Sequence, residues 1–328
     1  MSEPTNRTNG RVARGRDDRF RLALVGAGRM GRTHLAALGL STRVTVTDVV
    51  EPVAATRAVL SDAGLRVHAD LRQLLDREAP DGVLVAAPTR DHARLTRQAV
   101  EAGVPVLCEK PGGGSAAELR ETATIAARHR VPVQVAYWRR HLPALVALRD
   151  RIRAGKLGSL YLVAASQWDG EPPAAAFRAT SGGVFVDMGV HEVDQIRWLT
   201  GEDVVGVHAL AAGHVEDPEV RDDVDAAFAS LRLSGGTLGT VDLGRYFPAG
   251  DTVWVEVFGA RGHERHELIG RTQPRAFEEA LVRQAESFAE LVRTGRSSGA
   301  SLLEAIRVLE VAEEATAWLT QAAATPSG

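Results

Sequence analysis

The sequence predicts an α/β protein, an N-terminal doubly wound parallel sheet followed by a second α/β unit whose strands run mixed or antiparallel. Three observations carry this. From Phe20 to about Tyr137, short β-branched runs alternate with apolar-periodic helical segments, the pattern of right-handed βαβ crossovers. The first strand runs straight into the glycine-rich GAGRMG and then a helical pattern. After Trp138 long helices between strands become scarce, and stretches of alternating apolar and polar residues follow one another directly.

In chain order, strands are expected at RLALVGA, VTVTDVV, GVLVAAP, PVLCEKP and VPVQVAYW, and helices at HLAALGL, ATRAVLSDA, HARLTRQAVEAG and AAELRETATIAARHR. Gly103, between Ala102 and Val104, stands where a helix ends in a left-handed residue. Beyond Trp138, residues 142–156 and 182–200 read as helices, and 158–168, 203–215, 224–233, 237–247 and 252–259 as strands, with Gly235-Gly236 as a hairpin tip. Residues 275–320 read as largely helical, interrupted at TGRSSGAS. The expected organisation is a tail, 1–19, a dinucleotide-binding domain, 20–138, and a substrate-binding and oligomerisation domain, 139–328.

Composition narrows the function classes. A chain of 328 residues, 45% hydrophobic, can bury two sizeable cores. A net charge of −3 with scattered arginines gives no electrostatic reason to expect nucleic acid. The single cysteine, Cys108, excludes an intrachain disulfide framework and fits a reducing compartment. MSEPTNRTNGRVARGRDDR lacks an apolar core behind its basic residues and reads as a disordered tail, not a signal peptide. No apolar run approaches the ~18 residues of a membrane span. A cytoplasmic protein with neither nucleic-acid nor membrane partners is expected.

In GAGRMG, Gly26, Gly28 and Gly31 fill the G-x-G-x-x-G spacing, with Arg29 and Met30 between the last two. Three glycines in six residues also make structural turns. Here the preceding strand and following helix put backbone N–H groups and the positive helix end against a pyrophosphate. Asp48, in the second strand and 22 residues after Gly26, is the expected partner of the adenine ribose diol. Its carboxylate would repel a 2′-phosphate, which favours NAD over NADP, and Val49 supplies no compensating cation, although Arg29 or Arg57 could reach. Pro88 and His92, in PTRDHARL after the fourth strand, and Glu109 and Lys110, in CEKP at the end of the fifth, are expected at the same carboxyl edge, where ligands of doubly wound sheets bind.

The segment GGVFVDMGVHEVDQIRWL, 182–199, carries a second constellation. At ~100° per residue, Asp187, His191 and Asp194 fall within roughly 60° of one another, with Gly183 and Trp198, while Phe185, Val193, Ile196 and Leu199 take the other side. Such a helix either packs on its apolar face and presents an imidazole between carboxylates to a pocket, or lays a polar stripe in solvent. His34, in the first helix, reads as a packed residue, and GHERHEL, with His263 and His266, lacks the spacing of a zinc site, so no metal is expected.

The order GxGxxG, EKP, then D-x-G-x-H-x-x-D in a GG-initiated helix resembles the Gfo/Idh/MocA oxidoreductase family from about Phe20 to the final helices, and most of all its inositol dehydrogenases. The resemblance implies a Rossmann domain followed by an α/β domain with a large open, mostly antiparallel sheet that assembles homodimers or homotetramers. It implies a catalytic set of Lys110, Asp187 and His191. Arg139, beside Arg140 in YWRR, and Tyr246 are further positions where the resemblance implies substrate contact, and Trp168 with its neighbours Gln167 and Asp169 stands where those enzymes carry pocket residues. Asp194, two turns from Asp187, is expected to bind a substrate hydroxyl or brace the site and not to transfer protons. RYFPAGD and Trp138 depart from the inositol dehydrogenase pattern. The chemistry is sensible: a neutral imidazole accepts a hydroxyl proton near pH 7, Asp187 one turn earlier would orient it, and the Lys110 cation would stabilise developing alkoxide. The expected function is NAD-dependent oxidation of a ring polyol such as an inositol, another cyclitol or a pyranose. The alternatives are an NAD-dependent glycoside hydrolase of the same fold or a non-catalytic NAD- and sugar-binding regulator.

Overall fold

A computed structural model describes residues 18–77, 79–214, 223–269 and 275–324. The tail expected at 1–19 lies almost wholly outside the described residues. The first part alternates β1 (Phe20–Val25), α1 (Arg29–Leu38), β2 (Val44–Val50), α2 (Ala54–Asp62), β3 (Arg66–His68), α3 (Leu71–Leu75), β4 (Gly82–Val85), α4 (Thr89–Glu101), β5 (Val106–Glu109), α5 (Ala116–His129) and β6 (Val133–Ala136). A 3-10 turn, Trp138–His141, leads into α6 (Pro143–Arg153), β7 (Leu160–Trp168) and the short α7 (Ala175–Arg178). A π-helical turn, Phe185–Gly189, precedes α8 (Val190–Thr200); then come β8 (Val204–His214), β9 (Val224–Leu233), β10 (Leu238–Gly244), β11 (Thr252–Gly259), β12 (Gly262–Ile269), α9 (Ala276–Thr294), β13 (Ala300–Ser301) and α10 (Leu302–Ala324).

The first sheet has the order β13-β6-β5-β4-β1-β2-β3, parallel throughout except for β13, which pairs antiparallel with β6. The chain reverses direction across this sheet between β1 and β4, which makes their carboxyl ends the ligand-binding crevice of a Rossmann fold. β4 and β5 are buried along their whole length, as continuous apolar strands covered on both faces should be. The last part of the chain returns to this sheet, with α9 against α1 and β13 extending the edge.

The second sheet, β12-β11-β7-β10-β9-β8, is antiparallel except for the β7–β10 pair. One row of side chains, including Val163, Ala165, Val241, Leu243, Val255 and Val257, is buried. α8 lies on this inner side, next to β7 and β10, and is itself almost wholly buried. The stripe of Asp187, His191 and Asp194 is therefore enclosed by protein. The helix expected over 182–200 forms in two parts, because the π-helical turn interrupts it just before His191, as such turns often do at functional sites. No helix among the described residues is long and apolar enough to cross a membrane.

Candidate active site

The three glycines of the loop do different work. Gly26 has φ +97°, a left-handed conformation that admits glycine, and a Cβ there would lie 2.7 Å from the Ala86 carbonyl oxygen. A Cβ on Gly31 would meet the Gly26 carbonyl oxygen at 2.0 Å, so this glycine lets α1 pack onto the turn. A Cβ on Gly28 would meet nothing within 4 Å. Gly28 is also the N-cap of α1, so no cap side chain binds the first N–H groups of the helix. A helix start of this kind suits a pyrophosphate, and Arg29 and Met30 form the first turn beside it.

Asp48, expected at the ribose, does not stand at the carboxyl edge of the sheet. Asp48 pairs with Ala23 inside the sheet, two residues before β2 ends, and its carboxylate is occupied by Arg66 at 2.9 Å and His68 at 2.9 Å. The strand continues to Val50, whose carbonyl accepts the Gly26 N–H at 2.8 Å, and Pro52 then stops it. Glu51 therefore stands at the carboxyl edge, where it accepts the Ala27 N–H of the glycine loop at 3.0 Å and the Val53 N–H at 2.8 Å. The Glu51-Pro52 dipeptide was the missed signal, since proline marks the end of a central strand.

Across the crevice, Pro88 caps α4 and His92 is buried beneath it, its Nε2 2.7 Å from the Ala87 carbonyl oxygen. A carbonyl only accepts, so Nε2 carries the hydrogen; burial holds the His92 imidazole below its ordinary range and hence neutral. Glu109 binds His34 Nε2 at 2.6 Å and the Lys110 N–H at 3.1 Å. Burial pushes the Glu109 carboxyl up, but the hydrogen bond to His34 and the Lys110 cation bring it below its usual range.

Lys110, just past β5, reaches into the second part of the protein. Its Nζ donates to the Asp187 carbonyl oxygen at 2.6 Å and to Asp187 Oδ1 at 3.0 Å, which leaves one of its three N–H groups for a ligand. Asp187 is not the orienting partner expected for His191. Its Oδ2 accepts from Arg245 Nη1 at 2.6 Å, so the carboxylate is shared between two cations. The π-helical turn winds more widely than an α-helix, and the one-turn stacking of residues 187 and 191 does not apply there. Burial raises the Asp187 carboxyl, and Lys110 and Arg245 together bring it below its usual range. His191 is buried against Tyr137 and Trp138, with ring centroids 6.0 and 6.3 Å away, and its Nδ1 has no protein partner. Burial, reinforced by the cations of Arg139 and Lys110, holds the imidazole well below 6.5, so it is neutral and ready to accept a proton.

Four other expected residues take different places. Arg139 is buried beside the site, but its guanidinium is engaged by Glu192, by Gln167 at 2.6 Å and by Gln195 at 3.4 Å. Asp194, expected either to meet substrate or to brace the site, braces it in a two-point pair with Arg140 at 2.6 and 2.9 Å, and Arg140 also binds Glu304 of α10 at 2.7 Å. Trp168 points to the side of the second sheet opposite Gln167, because alternate residues of a strand face opposite ways; its ring lies over Gly244 and its Nε1 donates to Asp242 at 3.3 Å. Tyr246 is 55% exposed just beyond β10, whereas the preceding Arg245 is fully buried at the site. The same alternation, counted from Val241 and Leu243, points Arg245 inward and was the available signal.

Residues 20–137 match an oxidoreductase family with an NAD-binding Rossmann fold, and residues 145–264 match the GFO/IDH/MocA C-terminal domain. The chain is 43% identical over 304 residues to rhizopine catabolism protein MocA of Rhizobium meliloti, covering 92% of this chain and 96% of the relative. It is 38% identical over 264 residues to myo-inositol dehydrogenase Hyg17 of Streptomyces leeuwenhoekii, covering 79% and 80%. Among solved structures, GenD2 from gentamicin A biosynthesis in complex with NAD superposes with a TM-score of 0.84 at 25% identity, covering 95% of this chain and 98% of that one. The open cradle at Gly28, the uncapped end of α1 and the carboxylate at the β2 edge fit NAD. With both parts of the family pattern in order and close identity along most of its length, the chain belongs to the Gfo/Idh/MocA family of NAD-binding oxidoreductases.

Proposed function

We propose that the protein is an NAD-dependent dehydrogenase of ring polyols, interconverting a secondary alcohol of an inositol, another cyclitol or a pyranose with the corresponding ketone. The observation that carries this reading is the pairing of a neutral, buried His191 with a Lys110 ammonium that keeps one N–H free, at the carboxyl edge of a sheet bearing a dinucleotide loop. The names of the inositol dehydrogenase relatives support the substrate class.

Gly28 and the N-terminus of α1 hold the pyrophosphate, and Glu51 takes the adenine ribose diol in place of Asp48. Bound NAD supplies the hydride acceptor. His191 removes the proton of the reacting hydroxyl, and Lys110 donates its remaining N–H to the same oxygen as negative charge develops. Asp187 keeps Lys110 in place. The test is NADH formation across a panel of inositols, other cyclitols and pyranoses, with His191→Ala alongside the parent. Turnover by the parent, a loss of ~10²-fold or more in the variant and parent-like NAD affinity in both are expected; an NAD-binding parent that oxidises no polyol or sugar refutes the reading.

We also propose a cytoplasmic homodimer or homotetramer paired through the outer side of the second sheet. There Leu210, Phe228 and Leu238 are 68%, 42% and 54% exposed. Light scattering on the eluted protein decides between this and a monomer.

A further inference from the structure

Lys110 is the end of a longer chain of charges. Arg245, whose Nη1 binds Asp187 Oδ2 at 2.6 Å, also donates from Nε to Asp223 Oδ2 at 3.1 Å, and its Nη2 lies 3.0 Å from the same oxygen as an ion pair without a hydrogen bond. Arg178 of α7 donates from Nε to the same Asp223 oxygen at 2.8 Å, and from Nη2 to Asp225 Oδ1 at 3.0 Å and the Val224 carbonyl at 3.1 Å. Lys110, Asp187, Arg245, Asp223 and Arg178 thus alternate in sign across five segments of the chain: the end of β5, the π-helical turn, the residues following β10 and preceding β9, and α7. The side chains of Arg245, Asp223 and Arg178 are only 1%, 0% and 5% exposed.

Burying ions so completely is a poor way to stabilise a fold, because desolvation cancels most of the attraction and an apolar cluster of the same volume does as well. What the arrangement does supply is direction. A guanidinium presents its donors in a rigid planar fork, so Arg245 fixes the Asp187 carboxylate relative to Asp223 in both distance and plane. Asp187 in turn holds Lys110 through its carbonyl oxygen and Oδ1.

We propose that Arg245 and Asp223 are positioning residues for the reaction: they clamp the Asp187 carboxylate so that Lys110 aims its free N–H at the reacting hydroxyl, with Arg178 as the outer anchor. The inference rests on Lys110 acting as described under the proposed function. It assigns the reason an otherwise expensive set of buried charges is kept beside the site, and it makes the strength of each link fall with its distance from Lys110.

Only two lysines, Lys110 and Lys156, occur in the chain. The full-length K156R protein labelled with ¹³C at the lysine ε-carbon therefore reports on Lys110 alone. A clamped ε-methylene gives two inequivalent proton signals, and a freely rotating one gives a single averaged signal. Arg245→Met and Asp223→Asn are expected to collapse the pair, and Arg178→Met to narrow the separation only in part. In turnover, R245M is expected to lose at least tenfold in kcat with NAD affinity unchanged, and R245K to recover part of it. Beside the limb set by His191, the R245M rate profile should also lose activity to protonation of Asp187 at a higher pH than the parent does, because Asp187 keeps burial but loses one of its two opposing cations. Glu109 from β5, His92 from α4, and His191 and Glu192 from α8 also face Lys110 and are the same in parent and variant. Asp169 beyond β7, in contrast, faces both Asp187 and Arg245 and loses a cation in R245M as well, so D223N, which keeps Arg245, is the arm that separates the two carboxylates. Parent-like Lys110 signals and a parent-like pH limb in both R245M and D223N, with only the melting temperature lowered, overturn the proposal. Should R245M fail to fold, D223N carries the same comparison, and R245K is read in turnover alone, because its new lysine would also be labelled. A parent that turns over no polyol refutes the proposed function instead, and the lysine spectrum still decides whether these residues place Lys110.

Discussion

Gly28→Ala and Gly31→Ala lie three residues apart in the same loop and should fail in opposite ways. Gly28 has φ −68° and ψ −164°, which alanine adopts freely, and its added methyl meets no protein atom within 4 Å. The fold should lose only the N-cap preference of glycine over alanine, at most ~1 kcal/mol. The methyl does occupy the place of the pyrophosphate, and a hundredfold loss of NAD affinity, ~2.7 kcal/mol, is expected. At Gly31 the methyl would sit 2.0 Å from the Gly26 carbonyl oxygen, more than an ångström inside contact distance. Overpacking of that kind costs ~1–3 kcal/mol or more, and the better helix propensity of alanine returns only ~1 kcal/mol. Thermal unfolding with and without NAD separates the two. At NAD a hundredfold above the parent Kd, binding stabilises the parent by ~2.7 kcal/mol, and a variant with a hundredfold weaker Kd by only ~0.4 kcal/mol. G28A should thus melt near the parent when free and gain almost nothing from NAD, while G31A melts lower without NAD. A parent-like NAD-induced shift in G28A refutes the placement of the pyrophosphate over Gly28.

Glu51→Ala should weaken NAD at least tenfold, ~1.4 kcal/mol, and narrow the preference over NADP, whereas Asp48→Asn should leave cofactor affinity alone; calorimetric titration showing the reverse returns the ribose to Asp48. The depressed His191 places the acidic limb of kcat/KM below pH 6.5, since the base form is lost only when the pH falls through its lowered value; a limb at or above 6.5 contradicts the burial argument. His141, pushed down to about 4 by burial with Arg140 and Arg283 adding to it, takes up a proton near 6.5 when unfolded and only near 4 when folded, so it removes stability as the pH falls through that window. Urea midpoints measured from pH 7 to pH 4 should decline accordingly. Asp194→Asn leaves the Arg140 guanidinium buried with Glu304 as its remaining carboxylate, and should cost ~3 kcal/mol in urea unfolding; if the variant is instead as stable as the parent and has lost substrate affinity, Asp194 belongs to the substrate site.

Local pattern was enough for most of the architecture and for the two side chains proposed to react, Lys110 and His191. Alternating β-branched and helical segments lead directly to five parallel strands, β1, β2, β4, β5 and β6, because each element's period is written in its own residues, whereas the three-residue β3 is too short to show one. GAGRMG, Lys110 after a buried strand, and His191 in an enclosed helix were legible for the same reason. Tertiary structure decided the partners. Whether Asp48 or Glu51 meets the ribose depends on how far β2 stays paired with β1, a register set by the whole sheet. Asp187 binds Lys110 and Arg245 instead of His191 because β5 and β10 bring their cations closer than the helix brings its own imidazole. Asp194 is taken by Arg140, and Trp168 turns away while Gln167 turns in, through packing between segments far apart in sequence. The return of Ala300–Ser301 to the edge of the first sheet has no local signal at all. Periodicity is a property of neighbours along the chain; the pairing of charges is a property of neighbours in space, and only the folded register determines which carboxylate each cation finds.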